Sequence, residues 1–415
     1  MRYDSVIVGG GAAGLAAAAF LGRLAIKQGV ARRILLLEKG PRVGKKLLAT
    51  GNGTCNLTNM YATSHAYHGD IELVKSVLKA LTPAETVDFF TAIGVDCTVR
   101  ADGKVYPCSQ QAASVLDALR LEATACGVEL RCDSCVVALR PDADGWCVEL
   151  PEETVVAHQV LLATGGAAAP SLGGGAESYR LLTDRGYEKT PLFPSIVQLR
   201  TVTEYVRAMK GIRVDARASI RANGKEWLAC TDEVLFTDYG VSGPAVMHIS
   251  RPVGDWERRK QGKLVLRLDL LPDWEMSRLE SRLAERSVLP GRTLEDLFTG
   301  LLHKRVGQTM LRAAGVGPLS RAADTLTREE IHHTARTVKG WDLEITGTQG
   351  FGGAQVTAGG ICPDAFERET LMSRRETGLY VAGEMLDVDG DCGGFNLQFA
   401  WSSAYVAARA MAARW

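Results

Sequence analysis

Val6-Ile7-Val8-Gly9-Gly10-Gly11-Ala12-Ala13-Gly14 reads as a buried strand that runs straight into a glycine turn and then a helix. A second apolar run, Ile34-Leu35-Leu36-Leu37, ends on Glu38. At this spacing Gly9 makes the tight turn, Gly11 lets the backbone approach a pyrophosphate, and Gly14 lets the helix pack closely on the strand. The unpaired N–H groups at the helix start, from Ala12 and Ala13 to Gly14, face the anion. Glu38 is the expected acceptor for ribose hydroxyls. The stretch predicts an α/β, Rossmann-like dinucleotide-binding domain, and by itself leaves NAD and FAD both open.

Around that turn lies a chain of 415 residues, long enough for two or three lobes with a large core. Lys+Arg and Asp+Glu both total 48, so no global charge favours nucleic acid, a membrane surface or a strongly charged substrate. Local basic clusters, Arg32-Arg33, Lys45-Lys46, Arg258-Arg259-Lys260 and His303-Lys304-Arg305, read as ordinary solvated surface. Met1-Arg2-Tyr3-Asp4 leads directly into core, so no secretory signal is expected, and no run of about twenty apolar residues suggests a membrane span. Ten cysteines without framework spacing suit a reducing cytoplasm. The oligomeric state is not written in the sequence.

Thr82-Pro83-Ala84-Glu85 is a helix start, with Thr82 as cap, proline at the first helical position and Glu85 three residues on. Residues 109–126 read as a long helix stopped by Gly127. Short strands follow at 128–130, 136–139, 146–150 and 155–156, then a buried one at Val160-Leu161-Leu162-Ala163. From about residue 191 the pattern turns to strands with few helix signals, and from Asp273 it turns helical and charged, with a capping box at Thr327-Arg328-Glu329-Glu330. These shifts predict a discontinuous dinucleotide domain, 1–190 and 346–415, with an inserted β-rich, barrel-like domain at 191–272 and a helical domain at 273–345.

Three features favour FAD. Only one glycine fingerprint is present. Ala163-Thr164-Gly165-Gly166 puts small residues at a strand end, where backbone must pass close to a cofactor. Gly378-Leu379-Tyr380-Val381-Ala382-Gly383-Glu384 is a late strand ending in Gly-acid, and an extended cofactor needs such a second contact. Glu384 or Asp387 can accept from a ribityl hydroxyl, and a helix starting near Asn396 can aim its N–H groups at the flavin pyrimidine edge.

Gly44 to Asn59 (Gly-Lys-Lys-Leu-Leu-Ala-Thr-Gly-Asn-Gly-Thr-Cys-Asn-Leu-Thr-Asn) resembles a signature of the BaiN/YhiN-like (RdsA-like) FAD-dependent oxidoreductases. Leu235 to Pro244, Gly383 to Gly390 and Gly393-Gly394-Phe395-Asn396-Leu397-Gln398 resemble it too. The resemblance spans essentially the whole chain and implies a FAD domain with inserted β-barrel-like and helical domains. It implies reduction of conjugated double bonds, one branch being linked to bile-acid intermediates and another to dihydrouridine in ribosomal RNA; an older family label is aminoacetone oxidase. On this resemblance FAD contacts map onto Gly9, Gly11, Gly14, Glu38, Lys39, Lys45, Lys46, Gly166, Gly383, Asp387 and Gly394 to Leu397. The chain departs from the family pattern at Asn52, Thr54, Asp238 and the 172–178 loop, which bears on the substrate rather than on FAD.

A flavin reductase needs a proton donor opposite the hydride. Cys55 is the first candidate, the alternative being a small residue packed under the flavin. Tyr106 is the second, the alternative being an aromatic wall. Cys132-Asp133-Ser134-Cys135 lies in a strand-like run, where residues three apart are about 10 Å from each other and beyond disulfide reach. His332-His333, adjacent on a helix, do not share a face, and no metal is predicted.

The expectation is a cytoplasmic FAD-dependent oxidoreductase passing hydride from flavin N5 to an activated C=C bond of a small-molecule acceptor. NAD(P)H serves as transient electron donor. The alternatives are a ribosomal-RNA-modifying enzyme making dihydrouridine, and a flavin redox sensor without turnover.

Overall fold

The computed structural model of the protein describes residues 2–259 and 262–415; Lys260, the end of the 258–260 basic triplet, lies outside the described residues. The chain divides into two compact units, one from 2–193 with 355–415 and the other from 194–354.

The first unit is built on a seven-stranded sheet. Its parallel part runs in the order Glu129–Arg131, Ile34–Leu37, Arg2–Val8, Thr154–Leu162, Leu379–Val381. Val6 stands between Leu35 and Val160, and Leu161 pairs with Tyr380. Ile34–Leu37, Leu379–Val381 and the inner ends at Val6, Ile7, Val8 and Val160, Leu161, Leu162 are buried on both faces, which is why they read as unbroken apolar runs; the edge strand Glu129–Arg131 is not. The Ala12–Gln28 and Phe395–Ala412 helices pack on one another, and the alanine run Ala16–Ala19 is fully buried, small side chains permitting a close approach.

The two strands expected at 155–156 and 160–163 are one, Thr154–Leu162. Its first half pairs with the antiparallel strand Gly145–Glu149 and its second half with Leu379–Val381. Thr82 caps Pro83–Ala92 in a full capping box. The helix expected over 109–126 spans Ala112–Ala125, and Gly127 follows it at φ +80°. Cys132 and Cys135 are not in a strand. They lie in the loop between Glu129–Arg131 and Ala138–Asp142, where Asp133 takes φ +51°, and both thiols are free. A left-handed residue ends the pleat, so the strand argument against a disulfide does not apply there.

The second unit holds a closed barrel whose neighbouring strands are Leu199–Thr201, Gly240–Ser242, Lys225–Phe236, Arg213–Ala222, Leu264–Asp269 and Trp341–Thr348. The helices Met276–Ser287, Lys304–Ala313 and Arg328–Lys339 bury Leu279, Leu283, Met310 and Val338 in the same apolar cluster as barrel residues Leu266 and Leu343. The segment read as a separate helical domain thus shares the barrel's core, and Trp341–Thr348 closes the barrel before the chain leaves the unit at 354. Thr327 forms the expected capping box with Glu330. No helix among the described residues is long and apolar enough to cross a membrane.

Candidate functional site

All the residues singled out for cofactor contact lie in the first unit. Gly9 takes φ +106°, and a Cβ there would lie 2.5 Å from the carbonyl oxygen of Ala163. A Cβ on Gly14 would meet the Gly9 oxygen at 1.8 Å. Both glycines are therefore fixed by backbone packing. Gly11 differs: a Cβ there meets nothing within 4 Å, so its hydrogen faces open space. Gly11 is also the N-cap of Ala12–Gln28, with no side-chain cap and no acidic residue in the first turn. That helix end offers N–H donors and a positive dipole end to an anion.

Glu38 is held by the turn it serves. One carboxylate oxygen accepts from Gly10 N–H at 2.7 Å, the other from Gly40 N–H at 2.8 Å. Each oxygen keeps a lone pair for a hydroxyl donor. Gly44 N–H then donates to Gly10 O at 2.8 Å, bringing the Lys45–Leu48 turn against the glycine loop.

The three lysines placed here by resemblance each have a partner. Lys39 pairs with Glu177 at 3.0 Å, Lys45 donates to Ser171 O at 2.7 Å, and Lys46 pairs with Glu384 at 2.7 Å. Two of those partners sit in or beside the 172–178 loop, where the sequence departs from the family pattern. Glu384 also accepts from Thr357 N–H at 2.7 Å. A Cβ on Gly166 would lie 2.4 Å from Thr357 Oγ1 and 3.1 Å from Glu384 Cδ. Thr164 donates to Met385 Sδ at 2.9 Å, and Gly165 takes φ +77° against open space. Gly383, at φ +74°, brings the late segment onto the first helix: a Cβ there would be 2.9 Å from Ala13 Cβ. Asp387 closes the turn to Asp70 through its backbone oxygen, which accepts at 3.2 Å.

At the other end, Gly394 is the left-handed N-cap of Phe395–Ala412, again without a side-chain cap. Asn396 does not point its side chain outward; it accepts from Gly390 N–H at 2.8 Å and donates to Gly390 O at 2.7 Å. Phe395 O accepts from Tyr67 at 2.9 Å, and Leu397 packs on the main core. Sequence reasoning missed the residues that fix this end. Buried Gln398 accepts from Thr58 and donates to Thr86 Oγ1 at 2.9 Å, and Asn59 donates to Gly393 O at 3.1 Å. Asn56 is another such residue; its Oδ1 is buried and has no hydrogen-bond partner among the described residues. Thr58, Asn59 and Asn56 all fall inside the quoted 44–59 motif, so the motif located them without their roles.

The turn carrying Cys55 has four left-handed residues in five, Gly51, Asn52, Gly53 and Cys55. At non-glycine positions this conformation is costly, and it tends to be retained where a site requires it. Cys55 is fully buried and burial pushes its thiol up to about 12. Tyr106 is buried too, with the Arg100 guanidinium 4.1 Å from its ring centre, and a Cβ on Gly51 would sit 3.7 Å from its Cε1. The two donor candidates therefore flank one turn. In the second unit Asp238 pairs with Lys210 at 2.6 Å, and His332 pairs with Glu280 at 2.6 Å.

The family profile described as "HI0933-like protein Rossmann domain" matches residues 3–410. The 3-dehydro-bile acid delta(4,6)-reductase of Clostridium scindens is 36% identical over 412 residues, 98% of each chain. The ribosomal RNA dihydrouridine synthase of Escherichia coli is 30% identical over 413 residues, also 98% of each. Among solved structures, 3-ketosteroid delta1-dehydrogenase from Sterolibacterium denitrificans matches with a TM-score of 0.53 at 13% identity over 100% of both chains, a likeness of fold alone.

Proposed function

The chain belongs to the HI0933-like Rossmann-domain family, the BaiN/YhiN-like FAD-dependent oxidoreductases, and from that premise we propose that it is a reductase of activated C=C bonds in small molecules, driven by NAD(P)H. One observation carries the site: Gly383 on Ala13 and Lys46 on Glu384 draw three distant segments to one place beside an uncapped helix start. FAD fits the residues present, since Gly11 faces open space and Asn56 Oδ1 lacks a partner. When bound, the cofactor supplies a hydride at N5 of its isoalloxazine.

The chain's own residues then have distinct tasks. The N–H groups of Ala12, Ala13 and Gly14 hold the pyrophosphate, and Glu38 accepts from the ribose. Lys46 supplies a positive charge that Glu384 keeps in register. Glu384 and Asp387 would accept from the cofactor's ribityl hydroxyls beside Thr164, and the start of Phe395–Ala412 would offer N–H donors to the flavin pyrimidine edge. Gly165 and Gly166 let the backbone pass closely.

For proton delivery Tyr106 takes precedence over Cys55. Both side chains are buried, but the Arg100 guanidinium lies 4.1 Å from the Tyr106 ring centre and can offset an anion there, whereas burial pushes the Cys55 thiol up to about 12. Cys55 would then be a small packing residue of its turn. The C=C substrate class rests on the 36% identical reductase. The single glycine fingerprint supports NAD(P)H as a donor that would visit the same site in turn.

The second reading, dihydrouridine formation in ribosomal RNA, is favoured by the 30% identical synthase. Charge weighs against it: Lys+Arg and Asp+Glu both total 48, so the chain as a whole offers phosphates no net attraction. Purification followed by acid release of the flavin and an anaerobic NAD(P)H oxidation assay tests both readings. FAD release and oxidation stimulated by a conjugated enone are expected. Stimulation only by ribosomal RNA fragments, with steep salt dependence, would replace the first reading by the second.

A further inference from the structure

We propose that Asn56 is the acceptor for N3–H of the flavin pyrimidine ring, an assignment that rests on the FAD reading above. Asn56 Oδ1 is buried and receives no hydrogen bond from any described residue. A buried acceptor without a donor is destabilising, and in native structures it points to a missing partner. The side chain is delivered by the left-handed turn that ends at Cys55, φ +57°. It reaches the N-cap of Phe395–Ala412: a Cβ on Gly394 would lie 2.9 Å from Oδ1 and 2.6 Å from Thr58 O. The helix start has no side-chain cap, and the Asn396 side chain is engaged with Gly390.

The chain therefore presents one unmet acceptor beside unmet N–H donors. The pyrimidine edge of an isoalloxazine offers the complement, since C2=O and C4=O accept on either side of the N3–H donor. A phosphate has no N–H to give and leaves Oδ1 unpaired. Gly394 is required because any side chain there would cover the oxygen.

The test compares binding of FAD and 3-methyl-FAD to the apoprotein by fluorescence titration. The wild-type chain should bind 3-methyl-FAD about tenfold more weakly than FAD, because the methyl group removes the donor. Asn56→Ala should bind the two within about twofold of each other. Asn56→Asp keeps an acceptor, so it should retain the preference while its negative charge lowers the midpoint potential of the bound flavin. If Asn56→Ala is not folded by circular dichroism, Asn56→Asp decides alone. Equal binding of the two flavins by the wild type or by Asn56→Asp overturns the assignment, as does a preference undiminished in a folded Asn56→Ala. A wild-type chain that binds neither flavin overturns the FAD reading and the assignment with it.

Discussion

The Lys46 ammonium lies 2.7 Å from a carboxylate oxygen of Glu384, joining positions 338 residues apart in sequence. Both side chains are mostly shielded, 29% and 22% exposed, and the other Glu384 oxygen is taken by Thr357 N–H. The pair is thus one corner of a frame that holds the early glycine loop and the late Gly383 segment together.

Removing the cation should loosen that frame. Lys46→Met leaves a half-buried carboxylate with only its backbone donor, a loss of about 1–3 kcal/mol, between the values for exposed and buried pairs. Urea unfolding of the apoprotein measures it, and FAD titration should show weaker binding. A variant with wild-type stability and affinity would remove the pair from the frame.

Two glycines three residues apart should behave oppositely. Gly14→Ala puts a methyl 1.8 Å from the Gly9 oxygen, backbone that cannot yield, so a stability loss above about 3 kcal/mol or insoluble protein is expected. Gly11→Ala meets nothing within 4 Å and should fold normally, yet bind FAD at least about tenfold more weakly because its methyl enters the ligand's space. Normal flavin content in a folded Gly11→Ala would place the pyrophosphate elsewhere.

Cys55 makes stability depend on alkaline pH. Its folded value, about 12, lies above the unfolded value of 9.0, so between these the unfolded chain releases a proton that the folded chain keeps. Stability contributed by the neutral thiol is complete below pH 9 and falls as pH rises toward 12, by about 1.4 kcal/mol per unit. From pH 8 to pH 10 the wild type should lose about 1 kcal/mol more than Cys55→Ala in urea unfolding. Parallel losses in the two proteins would contradict the burial argument.

The proton donor separates by substitution. Tyr106→Phe should allow NAD(P)H to bleach the bound flavin at the wild-type rate but slow enone-dependent reoxidation by about 10²–10⁴-fold. Cys55→Ala should leave both steps within a few-fold of wild type. The reverse pattern would return the role to Cys55.

Much of the fold was legible because it is written in local periodicity. Val6 to Gly14 and Ile34 to Glu38 show strand, turn and acid directly, and Thr82 with Glu85 and Thr327 with Glu330 announce helix starts through bonds made within four residues. The errors have the same origin. Asp133 at φ +51° breaks a run that composition alone reads as strand, and the Trp341–Thr348 strand belongs to the barrel because only its partners at Leu264–Asp269 and Leu199–Thr201 say so.

The sequence by itself determined a dinucleotide fold, its glycine turn, the acid at 38 and a family motif at 44–59, since each is encoded by neighbours a few residues apart. Tertiary structure alone decided that Gly9 and Gly14 answer to backbone while Gly11 answers to open space. It also decided that Lys46 belongs with Glu384, that the Asn396 side chain turns inward, and that Asn56 Oδ1 is left without a donor. Those outcomes depend on which distant atoms come within a hydrogen bond or a van der Waals radius, a property of the packed chain that no local pattern contains.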